Sequence, residues 1–238
     1  MKEQVKELQI AAEGWKPGRV LTWAFETFGD AVAISSAFGA EGMVLIDIAS
    51  RLRRKFRLFT LDTEFLFPET YNLMDQVEQR YGVTIERVFP LLSPEKQEEV
   101  HGAELWKYAP DQCCNLRKVE PLQRKLNGLR AWITSIRRDQ TATRADAGKI
   151  EWDEKFGLVK INPIADWSSE QVWQYIRQHD VPFNVLHERS YPSIGCTHCT
   201  RAVLPGEDPR AGRWAGSSKT ECGLHVIQPL ASTPVADA

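Results

Sequence analysis

Long apolar runs and a strong net charge are both missing from this 238-residue chain, whose formal charge is −2. No apolar run approaches the about 20 residues that a transmembrane helix needs. The opening Met-Lys-Glu-Gln leads into a polar segment, which is unlike a secretory signal. A near-neutral charge argues against bulk binding of nucleic acid. We therefore expect a cytoplasmic protein without membrane or nucleic-acid partners.

Cysteine is also scarce, with five residues in the chain. In a reducing compartment such cysteines point to metal binding or catalysis rather than to disulfides. Four of them form two close pairs, Cys113-Cys114 and Cys196-Thr197-His198-Cys199. The fifth, Cys222, lies in a polar segment without hydrophobic periodicity. This leftover cysteine is a candidate reactive thiol.

Short apolar runs alternate with helical patterns over most of the chain, which predicts an α/β fold with a doubly wound, mostly parallel sheet. Helices are expected within residues 1–28, from Met43, from Pro68 and after Ser168. The expected strands lie at 31–36, 56–63, 84–89, 131–136 and 158–164.

Two regions are expected. Residues 1–180 form the α/β nucleotide-binding domain, including the N-terminal helices. Residues 181–238 are rich in Pro, Gly, Ser and Arg, which predicts an irregular C-terminal segment packed on the same domain. An irregular segment of this kind needs contacts outside itself to stay ordered, and the cysteine site and a bound ligand could both provide them.

Polar residues follow three of the predicted strands, where parallel α/β sheets bind their ligands. The loop after the first strand contains Gly39 among small residues, which let backbone N–H groups approach a phosphate. A plain βα turn is the alternative for this loop alone, but three polar strand ends together favour a nucleotide site. The candidate ligand-binding residues at these ends are Ser35, Ser36, Gly39, Leu61, Thr63, Arg137 and Arg138.

The paired cysteines allow three interpretations. Four thiolates are a common ligand set for zinc. Cys113 and Cys114 are adjacent, however, and neighbouring residues rarely both reach one tetrahedral ion. A [4Fe–4S] cluster offers each thiolate its own iron, and the spacing favours it over zinc. Two pairs of buried, unligated cysteines are the third interpretation.

Seven motifs in order along residues 30–225 resemble the assimilatory adenylyl-sulfate reductases, relatives of the 3′-phosphoadenylyl-sulfate reductases. They are Ser-Ser-Ala-Phe-Gly-Ala-Glu-Gly at 35–42, Leu-Asp-Thr at 61–63, Cys-Cys-Asn-Leu-Arg-Lys-Val-Glu-Pro-Leu at 113–122, Arg-Arg-Asp-Gln-Thr-Ala-Thr-Arg at 137–144, Gly-Cys-Thr-His-Cys-Thr at 195–200, Gly-Glu-Asp-Pro-Arg-Ala-Gly-Arg-Trp at 206–214 and Lys-Thr-Glu-Cys-Gly-Leu-His at 219–225.

The resemblance implies a fold like the N-type ATP pyrophosphatases and reduction of adenylyl sulfate to sulfite and AMP with electrons from thioredoxin. It implies that Cys222 attacks the sulfur and becomes a cysteine S-sulfonate. It also implies that the four paired cysteines, Cys113, Cys114, Cys196 and Cys199, hold a [4Fe–4S] cluster.

The resemblance further implies that Lys118 lies between cluster and substrate. A thiol must ionise to attack sulfur, and His225, Lys219 and the arginines at 210 and 213 are candidate sources of the positive charge that favours the thiolate. Guanidinium groups also suit phosphosulfate oxygens. We expect five arginines to converge there: Arg137, Arg138, Arg144, Arg210 and Arg213.

Other functions remain open. The substrate could carry a 3′-phosphate, alone or as one of two substrates. The Ser-Gly-Gly-x-Asp-Ser loop that cleaves ATP in this fold is missing, which disfavours an ATP-using tRNA thiolase. A zinc-stabilised nucleotide-binding module is the non-enzymatic alternative. No thioredoxin-like sequence follows the last motif, so an external reductant is expected, and the chain could also form a homo-oligomer.

Overall fold

The computed structural model describes residues 2–52, 55–217 and 219–225, around a six-stranded sheet of order β3-β2-β1-β4-β6-β5. The strands are β1 Val32–Ser35, β2 Arg57–Leu61, β3 Ile85–Val88, β4 Ala131–Ile133, β5 Ile150–Asp153 and β6 Leu158–Ile161. All neighbours pair in parallel except β5, which is antiparallel to β6. The predicted doubly wound, mostly parallel sheet is confirmed. Each predicted strand overlaps an observed one, and β5 was not predicted.

Helices surround the sheet, and the two that start at Pro68 and after Ser168 begin where the sequence predicts. Proline occupies the first turn of the helices that start at residues 17, 68, 94 and 110, where its missing N–H costs nothing. Ser168 caps the last helix by accepting a hydrogen bond from the Gln171 N–H at 3.2 Å. The helices are α1 Lys2–Ala12, α2 Pro17–Phe28, α3 Ala40–Arg51, α4 Pro68–Tyr81, α5 Pro94–His101, α6 Leu105–Tyr108, α7 Pro110–Cys114, α8 Glu120–Leu126 and α9 Ser169–His179.

Alternate residues of the strands feed two cores on opposite faces of the sheet. In β1, Val32 and Ile34 join the larger core beneath α2, α3 and α9. Ala33 faces the other side, where it packs in a smaller core with Trp132 and with Leu122 of α8. The sheet is therefore buried on both faces, as a parallel sheet requires.

The strand order reverses at β1, which pairs with β2 on one side and β4 on the other. A crevice for ligands forms at the carboxyl ends of strands at such a point. The C-terminal segment reaches the same edge, since Cys196 bridges to Leu66 and the Thr197 N–H donates to the Phe65 carbonyl at 2.8 Å. None of the helices in the described ranges is long and apolar enough to cross a bilayer.

Candidate active site

The four paired cysteines line one small enclosed cavity. Cys113 and Cys114 end α7, and a π-helical turn, Asn115–Val119, follows them directly and leads into α8. Cys196 and Cys199 flank a short 3-10 turn of the C-terminal segment. All four are free thiols. Two distant parts of the chain thus bring four thiols together at the strand ends.

The thiols are buried and close enough to influence one another. Burial, followed by the charges of Cys114, Cys196 and Cys199, raises the pKa of Cys113 to about 11. Burial and Cys196 likewise raise the pKa of Cys199 to about 11. Across residues 2–52, 55–217 and 219–225, no three or more His, Cys, Asp or Glu side chains are arranged to hold a single metal ion. The four cysteine sulfurs therefore suit a cluster with several metal atoms, because they do not converge on one point as the ligands of a single ion do.

Arg117, in the π-helical turn, supplies a buried positive charge beside these cysteines. Only 1% of the residue is exposed, and its guanidinium donates to Gln97 Oε1 at 2.8 Å and to the Thr63 carbonyl at 2.9 Å. It lies 4.3 Å from the centre of the Phe65 ring, and its Nη2 has no partner. Its charge acts to lower the pKa of Cys113. Arg117 also pairs with Glu64 at 3.3 Å, which neutralises part of its charge, so the free Nη2 is the donor left for a further acceptor.

Aromatic rings cover the cavity. The His198 ring stacks on Trp106 with a 3.9 Å centroid separation and meets Phe65 edge-on at 4.8 Å. Burial lowers the pKa of His198, which favours its neutral form. The rings therefore shield the four thiols from water without adding charge.

Lys118 lies between the cysteine cavity and Cys222. It lines the cavity and is 9% exposed. Burial alone would lower its pKa, but the negative charges of Cys196, Cys114 and Cys222 raise it above the ordinary value. A charged lysine therefore faces the cavity and Cys222 together.

The end of the described chain is docked on the sheet. The Gly223 carbonyl accepts a hydrogen bond from Lys155 Nζ at 2.7 Å, and Leu224 packs against the smaller core. The His225 ring stacks on Trp132, with centroids 5.6 Å apart and planes inclined by 14°. These contacts hold the half-buried Cys222 in the crevice. Residues 218 and 226–238 of the predicted tail lie outside the described residues.

Two further cations were expected near Cys222, and only one of them departs from that expectation. Burial, reinforced by Lys160, Arg144, Lys155 and Arg210, lowers the pKa of His225 well below its ordinary value. His225 is therefore uncharged and cannot supply the positive charge. Lys219 pairs with Asp111, and its charge acts to lower the pKa of Cys114, so its role beside Cys222 stays a prediction.

Three of the five predicted arginines gather at the tail. Arg144 Nη2 and Arg210 Nη2 lie 2.8 Å and 3.5 Å from Glu221 Oε2. Arg213 lies over the Trp214 ring at 4.5 Å, and its charge, like that of Arg144, acts to lower the pKa of Arg210. Nε of Arg144 and of Arg213 are buried without partners. Unpaired buried donors are costly and mark a site that can accept an anion.

The other two arginines have different partners. Arg137 pairs with Glu41 at 3.1 Å, and Gln140 also donates to Glu41 at 3.1 Å while accepting from Arg144 at 2.6 Å. Arg137 is therefore linked to the arginine group through hydrogen bonds. Arg138 instead donates to Glu13 Oε2 at 2.6 Å and to the Ala147 carbonyl. The expected convergence of all five arginines is not observed, because Arg138 is directed toward the N-terminal helices.

The loop between β1 and α3 has the tight packing of a ligand-binding turn. Ser35 ends β1, and Ser36 Oγ accepts the Phe38 N–H at 3.0 Å. Gly39 precedes α3 without a side-chain cap. A Cβ on Gly42 would come within 2.5 Å of Ser36 Oγ, so only glycine allows this approach. Uncapped N–H groups here are donors for a ligand.

The residues predicted at the end of β2 divide between two environments. Leu61 packs against the smaller core. Thr63 is buried, with Oγ1 3.3 Å from Cys196 Sγ. Between them, Asp62 accepts hydrogen bonds from the Tyr71 hydroxyl and from Arg87. This strand end therefore supports the cysteine cavity as much as the crevice.

Comparison with known proteins identifies the family. Residues 31–202 match the model of the phosphoadenosine phosphosulfate reductase domain. The chain belongs to this family.

Relatives agree with that assignment. The adenosine 5′-phosphosulfate reductase of Shouchella clausii is 48% identical over 87% of this chain and 86% of its own length. The adenosine 5′-phosphosulfate reductase 2 of Bacillus subtilis is 49% identical over 87% of this chain and 88% of its own length.

Solved structures show the same fold. The phosphoadenylyl-sulfate reductase of Candida auris, solved as a phosphate complex, has a TM-score of 0.75 and 34% identity, covering 84% of this chain and 98% of its own. An FMN adenylyltransferase of Candida glabrata shares the fold alone, with a TM-score of 0.59, 13% identity and coverage of 83% and 66%. The predicted resemblance to the N-type ATP pyrophosphatase fold is confirmed.

Within this family member, two residues of the site were not predicted. Arg117 and Glu221 both lie inside recognised motifs and are both buried. The signal available in the sequence was that each is a charged residue directly beside a candidate site residue, Lys118 or Cys222. Their partners, Gln97 for Arg117 and Arg144 for Glu221, are too distant in sequence to be inferred from spacing.

Proposed function

We propose that this protein reduces adenosine 5′-phosphosulfate to sulfite and AMP, with Cys222 as the nucleophile. The observation that carries the proposal is the position of Cys222, close to Lys118 and to the arginine group formed by Arg144, Arg210 and Arg213. The names of the relatives support the reaction. Positive charge beside Cys222 attracts an anionic substrate to the nucleophile.

The proposed reaction has two covalent stages, and both take place at Cys222. The Cys222 thiolate attacks the sulfur of the sulfate group, the sulfur–oxygen bond to the phosphate breaks, and AMP leaves with that electron pair. Cys222 then carries an S-sulfonate. A thiolate of external reduced thioredoxin attacks Cys222 Sγ and releases sulfite. The second thioredoxin thiol resolves the mixed disulfide and regenerates Cys222.

The arginine group and Lys118 bind and orient the phosphosulfate in this scheme. The unpartnered Nε donors of Arg144 and Arg213 suit its anionic oxygens. The adenosine is proposed to lie at the strand ends, near the uncapped start of α3 and the residues Ser35, Ser36, Gly39, Leu61 and Thr63. Arg137, linked through Glu41 and Gln140, supports the arginine group from behind.

The cysteine cavity is proposed to hold a [4Fe–4S] cluster on Cys113, Cys114, Cys196 and Cys199. The donor set fits, because four free thiols share one cavity with two buried cations, Arg117 and Lys118. A thiolate-ligated cluster is anionic, and these cations would offset its charge. When bound, it would supply a cross-link between the helix of residues 110–126 and the C-terminal segment, and a fixed negative charge behind Lys118.

Both regions contribute to one site in this proposal. Residues 1–180 bind the adenosine and supply two of the four cluster ligands. Residues 181–238 supply the other two ligands, the nucleophile and two of the three arginines that bind the phosphosulfate. The Candida auris structure supports a second candidate substrate, the 3′-phosphorylated nucleotide. A cytoplasmic location suits an enzyme that depends on thioredoxin and free thiols.

Sulfite release with each nucleotide and reduced thioredoxin tests the function, in the wild type and in Cys222→Ser. We expect release from adenosine 5′-phosphosulfate and a rate at least about a thousandfold lower in the variant, because a serine hydroxyl stays protonated. AMP binding by the variant, followed by calorimetry, is the control for folding. A fully active serine variant would overturn the mechanism. Release from the 3′-phosphorylated nucleotide alone would establish the second candidate substrate.

A further inference from the structure

Glu221 directly precedes the proposed nucleophile, and its carboxylate is buried. Only 6% of its side chain is exposed. Its Oε2 lies 2.8 Å from Arg144 Nη2 and 3.5 Å from Arg210 Nη2, and its Oε1 accepts a hydrogen bond from Thr141 Oγ1 at 3.1 Å. A side chain of the tail is thus held by the 141–144 segment and by the 206–214 loop together.

This arrangement favours one placement of the tail. A carboxylate that leaves water without compensation is strongly disfavoured, whereas one that meets two guanidinium groups and a hydroxyl is compensated. Arg210 also donates to the Thr220 carbonyl at 2.9 Å. Two consecutive tail residues therefore depend on the same guanidinium, and a displaced tail would lose all of these contacts.

Cys222 lies between two anchors. Glu221 holds the chain before it, and the Gly223 carbonyl, which accepts from Lys155 at 2.7 Å, holds the chain after it. In this position the charge of Cys222 acts on Lys118 and on Lys155. Freed from its first anchor, the thiol would no longer be held beside Lys118.

We propose that Glu221 is a positioning residue, whose carboxylate sets Cys222 beside Lys118 by binding Arg144, Arg210 and Thr141. The inference rests on the proposed function, since it assigns Glu221 an effect on the nucleophile of that reaction. Because Arg144 also donates to Gln140, and Gln140 to Glu41 in the first turn of α3, the same contacts join the tail to the loop between β1 and α3.

The test compares Glu221→Gln with the wild type and with a matched control, Glu207→Gln. Glu207 is another carboxylate of the C-terminal segment, paired with Arg201 at 2.8 Å and outside the crevice. The first readout is the rate at which iodoacetamide alkylates Cys222 in the absence of nucleotide, with the modified peptide identified by mass. The second is kcat and KM for sulfite release with thioredoxin.

At about pH 9.5, where an ordinary thiol is ionised, we expect Cys222 of Glu221→Gln to be alkylated on the order of tenfold faster, because the loss of two charge-assisted contacts exposes it. The variant should lose kcat by a similar factor. KM should be unchanged or lower, since the arginines are released for the substrate. Glu221→Asp keeps the charge on a shorter side chain and should be intermediate. Glu207→Gln should match the wild type.

Unchanged alkylation in Glu221→Gln would overturn the inference, as would a higher KM with unchanged kcat, which would make Glu221 a substrate-binding residue. A lower melting temperature with unaltered Cys222 reactivity would reduce its role to stability and overturn the inference as well. A wild type that releases no sulfite, while alkylation still responds to Glu221→Gln, would contradict the proposed function and leave the positioning role supported.

Discussion

Arginines that look equivalent in the sequence have different partners in the fold. Arg138 and Arg144 lie in one motif, six residues apart. Arg144 turns to the tail and binds Glu221, whereas Arg138 reaches back to Glu13 in the segment after α1. The two partners are 77 and 125 residues away. Local spacing in the sequence does not reveal such distant partners. The sequence therefore predicted that arginines form the site, but not which of the arginines belong to it.

Arg210→Ala and Arg138→Ala form a matched pair for this distinction. Removing Arg210 takes away a charge-assisted contact near the substrate, worth about 1.5–3 kcal/mol, and so KM for the nucleotide should rise roughly 10- to 100-fold. Part of the loss should appear in kcat, because Arg210 also holds Glu221. Steady-state sulfite release measures both constants.

The Arg138→Ala variant is the control for that experiment. Its contacts to Glu13 and to the Ala147 carbonyl lie away from the arginine group. KM should change by less than about threefold, and any effect should appear as a modest loss of stability, as for a partly exposed ion pair. Equal effects of the two substitutions on KM would contradict the placement of Arg210 inside the site and of Arg138 outside it.

At the scale of elements, four of the five predicted strands are short, mostly buried apolar runs, as in β1, where three of four residues are buried. The fifth, β3, is an edge strand with Glu86 and Arg87 exposed, and it was predicted from its apolar–polar alternation. β5 was missed because its sequence, Ile-Glu-Trp-Asp, has one fully buried residue and two acids. It is an edge strand that pairs with β6 alone, and its position follows from that pairing rather than from its own pattern. The π-helical turn after Cys114 has no sequence signature either.

Three helices are tied together on the larger-core side by one buried carboxylate. Asp47 of α3 accepts hydrogen bonds from the hydroxyl of Tyr175 in α9 at 2.8 Å and from that of Tyr81 in α4 at 3.2 Å. Arg51 Nε donates to it at 2.5 Å. Burial, together with bonding to Asp47, raises the pKa of Tyr175, and burial with the charge of Asp47 raises that of Tyr81. Both tyrosines therefore stay protonated above the pH at which free tyrosine ionises.

These raised pKa values predict a loss of stability in alkali. Above pH about 10 the tyrosines of the unfolded chain release protons while the folded ones keep theirs, so the unfolded state gains stability as pH rises. Tyr71, whose pKa burial and its bond to Asp62 raise to about 12, adds to the effect up to that pH. Urea unfolding between pH 8 and pH 11 should show a steepening decline above pH 10.

Tyr175→Phe should alter that decline in a defined way. Loss of the hydroxyl removes a hydrogen bond to a charged group, which should lower the free energy of unfolding at pH 8 by about 1–2 kcal/mol. The decline above pH 10 should become shallower, because one raised tyrosine is gone. Tyr191→Phe, at a tyrosine that packs on Phe67 away from Asp47, is the control. An unchanged pH dependence in Tyr175→Phe would contradict the assignment.

At the scale of the whole molecule, the cysteine cavity joins parts of the chain that the sheet does not. Cys113 and Cys114 belong to the helical region before β4, and Cys196 and Cys199 to the irregular segment beyond α9. The two cysteine motifs predicted this contact, because a shared ligand set requires all four thiols in one place. The sequence could not predict that the same segment also attaches through Glu221 and His225, since those contacts depend on the finished sheet.

Loss of the cluster that we propose for the four cysteines should therefore loosen the whole C-terminal segment. We expect purified protein to be brown, with absorbance near 400 nm and about four irons per chain. Cys199→Ser should lose the iron, and trypsin should then cut at Arg201, which is exposed at the surface just beyond the cavity. The sheet should survive, because its two cores contain neither Cys196 nor Cys199.

Far-ultraviolet circular dichroism checks the sheet, gel electrophoresis of timed digests checks the segment, and wild type with iron bound is the reference. A colourless wild type with one zinc, or equal digestion of both proteins, would show that the cluster is not the tie that orders the segment.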